Sequence, residues 1–481
     1  MIPLFKGELI RTPKNHHYPT QIILWALLLL IEVYASLRGA RKTLALFSPF
    51  LGFQTPCYNT LSNWSYRLGF YLLNQPIPLR DDWIIVLDET IQLNKNKALV
   101  ILGIPREKLG KIGYSPQHQD MQLIDIYVLT HSNGKIISEI LEKLSLKIGS
   151  FLQIVSDHGS DIKKGIDLYQ QLSPKTICTH DISHYVALVL KKQLANDVRW
   201  TSFLSHCSKT HSQIQQTELA FMKPPKQRTK ARFMHTRTQI KWANKQLSYY
   251  KQGDFSAINS TYSLNWEGRY AIEKILGKSV GLKLASIQGK PFENRLSFQQ
   301  ALTEQLGQNA VNLINDDVYK KADLGRRRWN EKFSWLLDYE DDLILFSAMI
   351  EKTDCVQIHL KNKGLSNDSK EQVQYNFQQQ ISHESPRIKA VETAILDYFS
   401  HAEKNISKEM PLLASSDIIE SVFGKYKFLT RDSPLKEVGK RLLLIPVFLT
   451  QLNGELVKEA MKKYVILMLM NGLKKLVECQ C

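Results

Sequence analysis

Trp83-Ile84-Ile85-Val86-Leu87-Asp88-Glu89-Thr90 is a strand-like apolar run that ends on two acids. Leu152-Gln153-Ile154-Val155-Ser156-Asp157 repeats the pattern, an apolar stretch closed by a carboxylate. A third acid, Glu420, lies far downstream in Ser416-Asp417-Ile418-Ile419-Glu420-Ser421-Val422-Phe423-Gly424-Lys425. There Ile418, Ile419, Val422 and Phe423 recur at helical spacing, which predicts a helix with one apolar face. Two acids on strand ends and one on a late helix are a way to gather carboxylates around a pair of divalent cations.

Working outward from Asp88, Ala98 to Ile104 and Met121 to Leu129 read as two more strands, the latter followed by the turn pair Asn133-Gly134. Lys135 to Leu146 repeats apolar residues at helical spacing. Next come the strand ending at Asp157, a helix from Asp161 to Leu172, the strand Thr176 to His180 and a helix from about His184 to Leu194. This order predicts an α/β fold with a mixed-sheet core like that of ribonuclease H. The first three strands form an antiparallel meander, and the later ones add in parallel through helical crossovers.

The flanks read as helical. Residues 1–80 carry an apolar segment from Gln21 to Leu37 and a basic one from Arg38 to Phe47. A Gly- and Pro-bearing turn follows, then a helix from near Cys57. Helix, turn and polar-aromatic helix suggest a helix-turn-helix-like DNA-binding region; a bundle that only packs is the alternative. The organisation expected is therefore 1–80, a core in 81–194, a large mainly helical insertion in 195–411, the final core helix in 412–434 and a helical end in 435–481.

The chain has 481 residues and a formal net charge of +17, which favours a polyanionic partner. Its six cysteines are scattered without zinc-site spacing, so a reducing compartment and no disulfide scaffold are expected. The apolar segment Ile22 to Tyr34 is interrupted by Glu32 and is short for a membrane span, so no membrane partner is expected.

Asp88, Asp157 and Glu420 resemble the DDE triad of cut-and-paste transposases, in particular bacterial insertion-sequence enzymes with a helical insertion before the Glu. The resemblance covers about residues 80 to 194 and 412 to 432. It implies two divalent cations, Mg2+ or Mn2+, with Asp88 bridging them and Asp157 and Glu420 each completing one ion. Asp125, Asp161 and Asp417 are the nearest competing acids. Lys427 follows Glu420 after six intervening residues, the spacing of an E-six-K pair, which implies a contact to DNA phosphate. Leu413 and Ser416 stand where the family pattern has Tyr and Arg.

Asp181-Ile182-Ser183-His184 is similar to a [C/D]-two-H motif that several transposase families place near the metal site; a helix cap is the plainer reading. His158, directly after Asp157, is another near-site candidate. In the insertion, Arg228, Lys230, Arg232, Arg237 and Lys241 form one basic cluster, and Arg326, Arg327 and Arg328 another. Cations set register on phosphates, while aromatics stack on unpaired bases. Trp242, Trp266 and Trp329 are candidates for stacking, with core packing as the alternative.

The function expected is metal-dependent cleavage at transposon ends and transfer of the 3′-hydroxyl into target DNA. The expected partners are double-stranded DNA, as terminal inverted repeats and target, and a second copy of the chain in a synapsed homodimer. A bacterial cytoplasmic location is expected. A ribonuclease-H-like nuclease without strand transfer, or a domesticated non-catalytic DNA-binding protein, is the alternative.

Overall fold

The computed structural model describes residues 12–463 apart from 15, 94–95, 228–231, 254, 256–257, 259–260, 381–384, 403–405, 407–410 and 431–439. Two compact units make up the chain. One is formed by Met1–Tyr185, Cys355–Gln380 and Ile395–Cys481, the other by Val186–Asp354 and Ile381–Ala394.

The first unit holds a five-stranded mixed sheet. Its strands are β1 (Trp83–Leu93), β2 (Asn96–Pro105), β3 (Gln122–Leu129), β4 (Phe151–Ser156) and β5 (Ile177–His180), in the order β3-β2-β1-β4-β5. β1, β2 and β3 are an antiparallel meander, while β4 lies parallel to β1 and β5 parallel to β4. This is the ribonuclease-H-like order expected from the sequence, and the fold is α/β.

Side chains alternate faces along a strand, and β1 shows what that does. Trp83, Ile85 and Leu87 point into a core with α5 (Gly134–Ile148) and α6 (Ser160–Leu172), through Ile137, Leu141, Ile162 and Tyr169. Ile84 and Val86 point the other way, into a core with Ile419, Val422 and Phe423 of the Asp417–Thr430 helix. A strand buried on both faces must be apolar throughout, which accounts for the unbroken run before Asp88. The same alternation puts Asp88 in phase with Ile84 and Val86, on the face covered by the helix that carries Glu420. Glu89 falls on the opposite side, where it pairs with Lys97 at 2.7 Å.

The N-terminal helices α1 (Thr20–Ile31), α2 (Leu37–Leu51) and α3 (Tyr58–Leu73) share that second core, through Ile23, Leu27, Leu44, Leu61, Trp64 and Leu68. α1 stops at Ile31, six residues before the end of the apolar segment, and the chain turns through Tyr34 at φ 56°. α2 ends on Gly52 in the left-handed conformation, a usual helix stop. α2 exposes Arg38, Arg41 and Lys42, while α3 buries one face, through Leu61, Trp64, Ser65, Leu68, Gly69 and Phe70. α3 meets the turn Lys440–Leu444 so closely that a Cβ on Gly69 would lie 1.7 Å from the Leu443 carbonyl oxygen.

The second unit is helical among its described elements. One core gathers Leu264, Ile272, Phe298, Leu302 and Val318. Elsewhere Trp200 and Phe203 stack at 5.5 Å, and Trp329 stacks on Tyr250 at 4.7 Å. No described helix is long and apolar enough to cross a membrane.

Candidate active site

The register of β1 and β4 brings the first two acids together. Val86 pairs with Val155, so Asp88 and Asp157 each stand two residues beyond matched positions on adjacent parallel strands. Asp88 is still inside β1, where its Oδ1 accepts from the Glu89 amide at 2.7 Å. Asp157 lies just past β4, and its Oδ1 accepts from the Gly159 amide at 2.9 Å, which closes the turn into α6.

The helix that carries Glu420 is held through a set of polar clamps. Gln153 is fully buried in β4, yet all its hydrogen-bonding groups are used. Its amide donates to Thr179 Oγ1 at 2.8 Å and to the Leu413 carbonyl at 2.6 Å, and its Oε1 accepts from the Leu413 amide at 3.1 Å. The chain entering the Glu420 helix is thereby hydrogen-bonded to the middle of the sheet. Asp181, also fully buried, works one layer up. One carboxylate oxygen accepts from the His184 amide at 2.8 Å, capping α7 (Ile182–Leu194), and the other accepts from Ser416 Oγ at 3.0 Å and from the Ser416 amide. A single side chain thus ties the starts of two helices together.

Those helices contribute His184 and Glu420, and His184 Nε2 donates to Glu420 Oε1 at 2.7 Å. In the Asp181–His184 motif, Asp181 thus caps α7, and His184 is hydrogen-bonded to Glu420. Asp417 is engaged elsewhere, accepting from Ser183 Oγ at 3.0 Å and pairing with Lys361 at 2.5 Å. Asp161 stands in the first turn of α6, and Asp125 lies on the edge strand β3, accepting from Tyr127 Oη at 3.0 Å and the Ile126 amide at 2.9 Å.

The electrostatics mark one cluster. Burial, then the Asp157 charge and more weakly Glu420, push the Asp88 carboxyl up to about 7. For His184, burial opposes the charge, but the hydrogen bond to Glu420 and the charges of Asp181, Glu420 and Asp157 prevail and push it up to about 9. His184 is then a cation at neutral pH, set among three acids. His158 behaves in the opposite way. It sits at φ 55° and stacks on His180 with centroids 4.2 Å apart. Burial, followed by the neighbouring ring, lowers His158 to about 3, and burial lowers His180 to about 4. His180 contacts the Asp157 carbonyl at 3.1 Å, and its own carbonyl accepts from the buried Tyr398 hydroxyl at 2.9 Å.

Asp88, Asp157 and Glu420 offer only carboxylate oxygens, the hard donors that suit magnesium or manganese. An acid pushed up to about 7 by burial and by a second acid is a place where a cation is favoured, so the donor chemistry fits. Among the described residues, no group of three or more His, Cys, Asp or Glu side chains is arranged to hold a metal ion. Glu420 instead has His184 as its partner.

The basic and aromatic candidates separate. Lys427 is exposed on the Glu420 helix, with Nζ 6.0 Å over the Phe423 ring. In the second unit, Arg237 pairs with Asp354 at 3.0 Å, and Lys241 is exposed. Arg326 lies over the Tyr250 and Phe255 rings, and Arg328 pairs with Glu218 at 3.3 Å. Arg327 is half-buried, with its Nε enclosed. Arg228 and Lys230 lie outside the described residues, and Arg232 opens a short turn through His235. Trp329 is fully buried between Tyr250 and Phe333, so the base-stacking expectation is corrected there: neither ring face is free. Trp242 packs on Trp335, donating from Nε1 to the Met222 carbonyl at 2.9 Å. Trp266 alone of the three is largely exposed, at 69%.

Sequence reasoning missed His180, Gln153, Tyr398 and Lys361. Gln153 had a signal, since a polar residue inside a buried strand needs a partner. The other three did not, because their partners come from distant segments.

No family model matches the sequence, and no curated protein matches it. Among solved structures, the chain is similar to the Drosophila P element transposase strand transfer complex at 13% identity. That match covers 92% of this chain and 94% of the other, with a TM-score of 0.35.

Proposed function

We propose that the chain is a DNA strand-transfer enzyme of the DDE class, which cuts a phosphodiester at the end of a DNA element and joins the freed 3′-hydroxyl to a target strand. The observation that supports this reading is that Asp157, just past β4, and more weakly Glu420, on the late helix, act electrostatically on Asp88 in β1. The net charge of +17 supports a DNA partner. The narrower assignment to a bacterial insertion sequence rests on the sequence resemblance.

Asp88, Asp157 and Glu420 would hold two divalent cations, which when bound supply activation of an attacking oxygen and charge relief at a leaving oxygen. His184, cationic at neutral pH, fixes the Glu420 carboxylate and offers a proton donor beside the acids. Asp181 and Ser183 hold the helices that carry that pair. Lys427, about two turns along from Glu420, would meet backbone phosphate. Two copies of the chain would hold two DNA ends.

The test is a cleavage and joining assay on a DNA end with magnesium or manganese. Asp88→Asn, Asp157→Asn and Glu420→Gln are each expected to reduce cutting to background while retaining DNA binding. Cutting without joining supports a nuclease instead. The His184–Glu420 contact favours a second reading, a DNA-binding protein without catalysis. That reading expects no calorimetric binding of either cation.

A further inference from the structure

A pocket of about 570 Å3 opens in the first unit among α1, α2, α3, the end of the Glu420 helix and the Lys440–Leu444 turn. This volume is in the range of small-ligand sites. Two arginines line it, Arg38 from the first turn of α2 and Arg441 from the turn. Among the described residues, neither makes a hydrogen bond or ion pair, and no acidic side chain lines the pocket. Arg67 and Arg80 of the same unit are hydrogen-bonded or ion-paired, so two guanidinium groups without a described partner at one cavity stand out.

The other notable lining is aromatic: Tyr34, Tyr58, Tyr66 and Phe428. Tyr34 has φ 56°, a conformation rare for a residue with a side chain. Its ring meets Phe428 edge to face at 5.8 Å, and Lys425 Nζ stands 5.8 Å over it. Aromatic faces accept a base by stacking, and arginines grip phosphate with paired N–H groups.

We propose that this pocket binds a nucleoside phosphate, with the base among the tyrosines and the phosphate between Arg38 and Arg441. The source favoured is an unpaired nucleotide of a DNA strand. Phe428 lies eight residues beyond Glu420 on one helix, about 12 Å along its axis at 1.5 Å per residue. A strand held at Glu420 and followed along Lys427 would reach the pocket within a few nucleotides. That choice of source rests on the DNA-cleaving reading; the pocket chemistry does not.

The experiment measures binding by the full chain in EDTA, where cleavage plays no part. Three fluorescent probes are compared: a blunt duplex, the same duplex with a three-nucleotide single-stranded tail, and a mant-labelled nucleoside triphosphate. Arg38→Glu and Tyr58→Ala change exposed residues, and thermal melts check that they fold. Each is expected to weaken the tailed duplex at least tenfold and the blunt duplex less than threefold, with Tyr58→Phe retaining wild-type affinity. Loss of the triphosphate instead of the tail assigns the pocket to free nucleotide. Equal losses for blunt and tailed duplex, or no loss for tail and triphosphate, overturn the proposal. Wild-type cleavage with metal is scored separately. A chain that binds through the pocket but cuts nothing keeps this inference and loses the preceding one.

Discussion

His184 Nε2 donates to Glu420 Oε1 at 2.7 Å, joining α7 to the late helix through a cation held among acids. In the resting chain this imidazolium offsets charge that divalent ions would otherwise neutralise. His184→Asn removes the bond and the charge together. The pair is about a third exposed, so solvent screening limits the loss of stability to about 1 kcal/mol. Urea denaturation in EDTA measures it. The same variant is expected to bind manganese at least as tightly as wild type by calorimetry, because Glu420 is released. Weaker binding would show that His184 helps to build the site instead of guarding it.

Gln153 sets a different dependence. Gln153→Leu leaves the Leu413 amide and carbonyl without partners in a buried place. Each unpaired group costs about 1–3 kcal/mol, so a clear fall in the urea midpoint is expected. Hydrogen exchange should show the loss centred on residues 412–420. A uniform loss over the whole sheet would argue that Gln153 only packs.

How much of this site the sequence shows depends on the range of the contacts. The run Trp83 to Leu87 announces a doubly buried strand, and period-two alternation then fixes which acid faces the late helix. The meander and crossovers follow from local patterns of the same kind. By contrast, α1 ends at Ile31 with no Gly or Pro to stop it, because packing in the shared core and the turn at Tyr34 decide the end. The clamps from Asp181 to Ser416 and from Gln153 to Leu413 join residues more than two hundred positions apart, which no local pattern encodes.

The tryptophans divide by burial. Trp329→Ala empties a fully buried site between Tyr250 and Phe333 and is expected to cost about 3–5 kcal/mol. Trp266→Ala, at an exposed position, should shift stability by no more than about 0.5 kcal/mol. Trp266→Ala therefore reports on DNA binding cleanly, whereas a binding defect in Trp329→Ala reflects folding. A stable, cooperatively folded Trp329→Ala protein would contradict the packing described.

Gly69 tests the close approach of α3 to the Lys440–Leu444 turn. A methyl group there would overlap the Leu443 carbonyl, so Gly69→Ala must push the turn away. Overpacking of this kind costs about 1–3 kcal/mol, read as a lower denaturation midpoint. An unchanged midpoint would mean that the turn yields freely.

Asp88 ties stability to pH. Its folded value of about 7 lies above the usual 3.8, so between about pH 4 and pH 7 the folded chain keeps a proton that the unfolded chain has released. Stability from this group is greatest below that window, falls as pH rises through it and is lowest above 7. His184, raised to about 9, contributes stability that is full below about 6.5 and is lost as pH rises through 9. Asp88→Asn removes the first slope and leaves the second. In EDTA the variant should match wild type near pH 4 and exceed it above pH 7, by on the order of 2–4 kcal/mol before solvent screening. Manganese should reverse the order, stabilising wild type and not the variant. Denaturation midpoints at pH 4.5, 6, 7.5 and 8.5 measure the difference. A difference that stays constant across the series would mean that Asp88 ionises normally, and that burial and the Asp157 charge do not hold its proton.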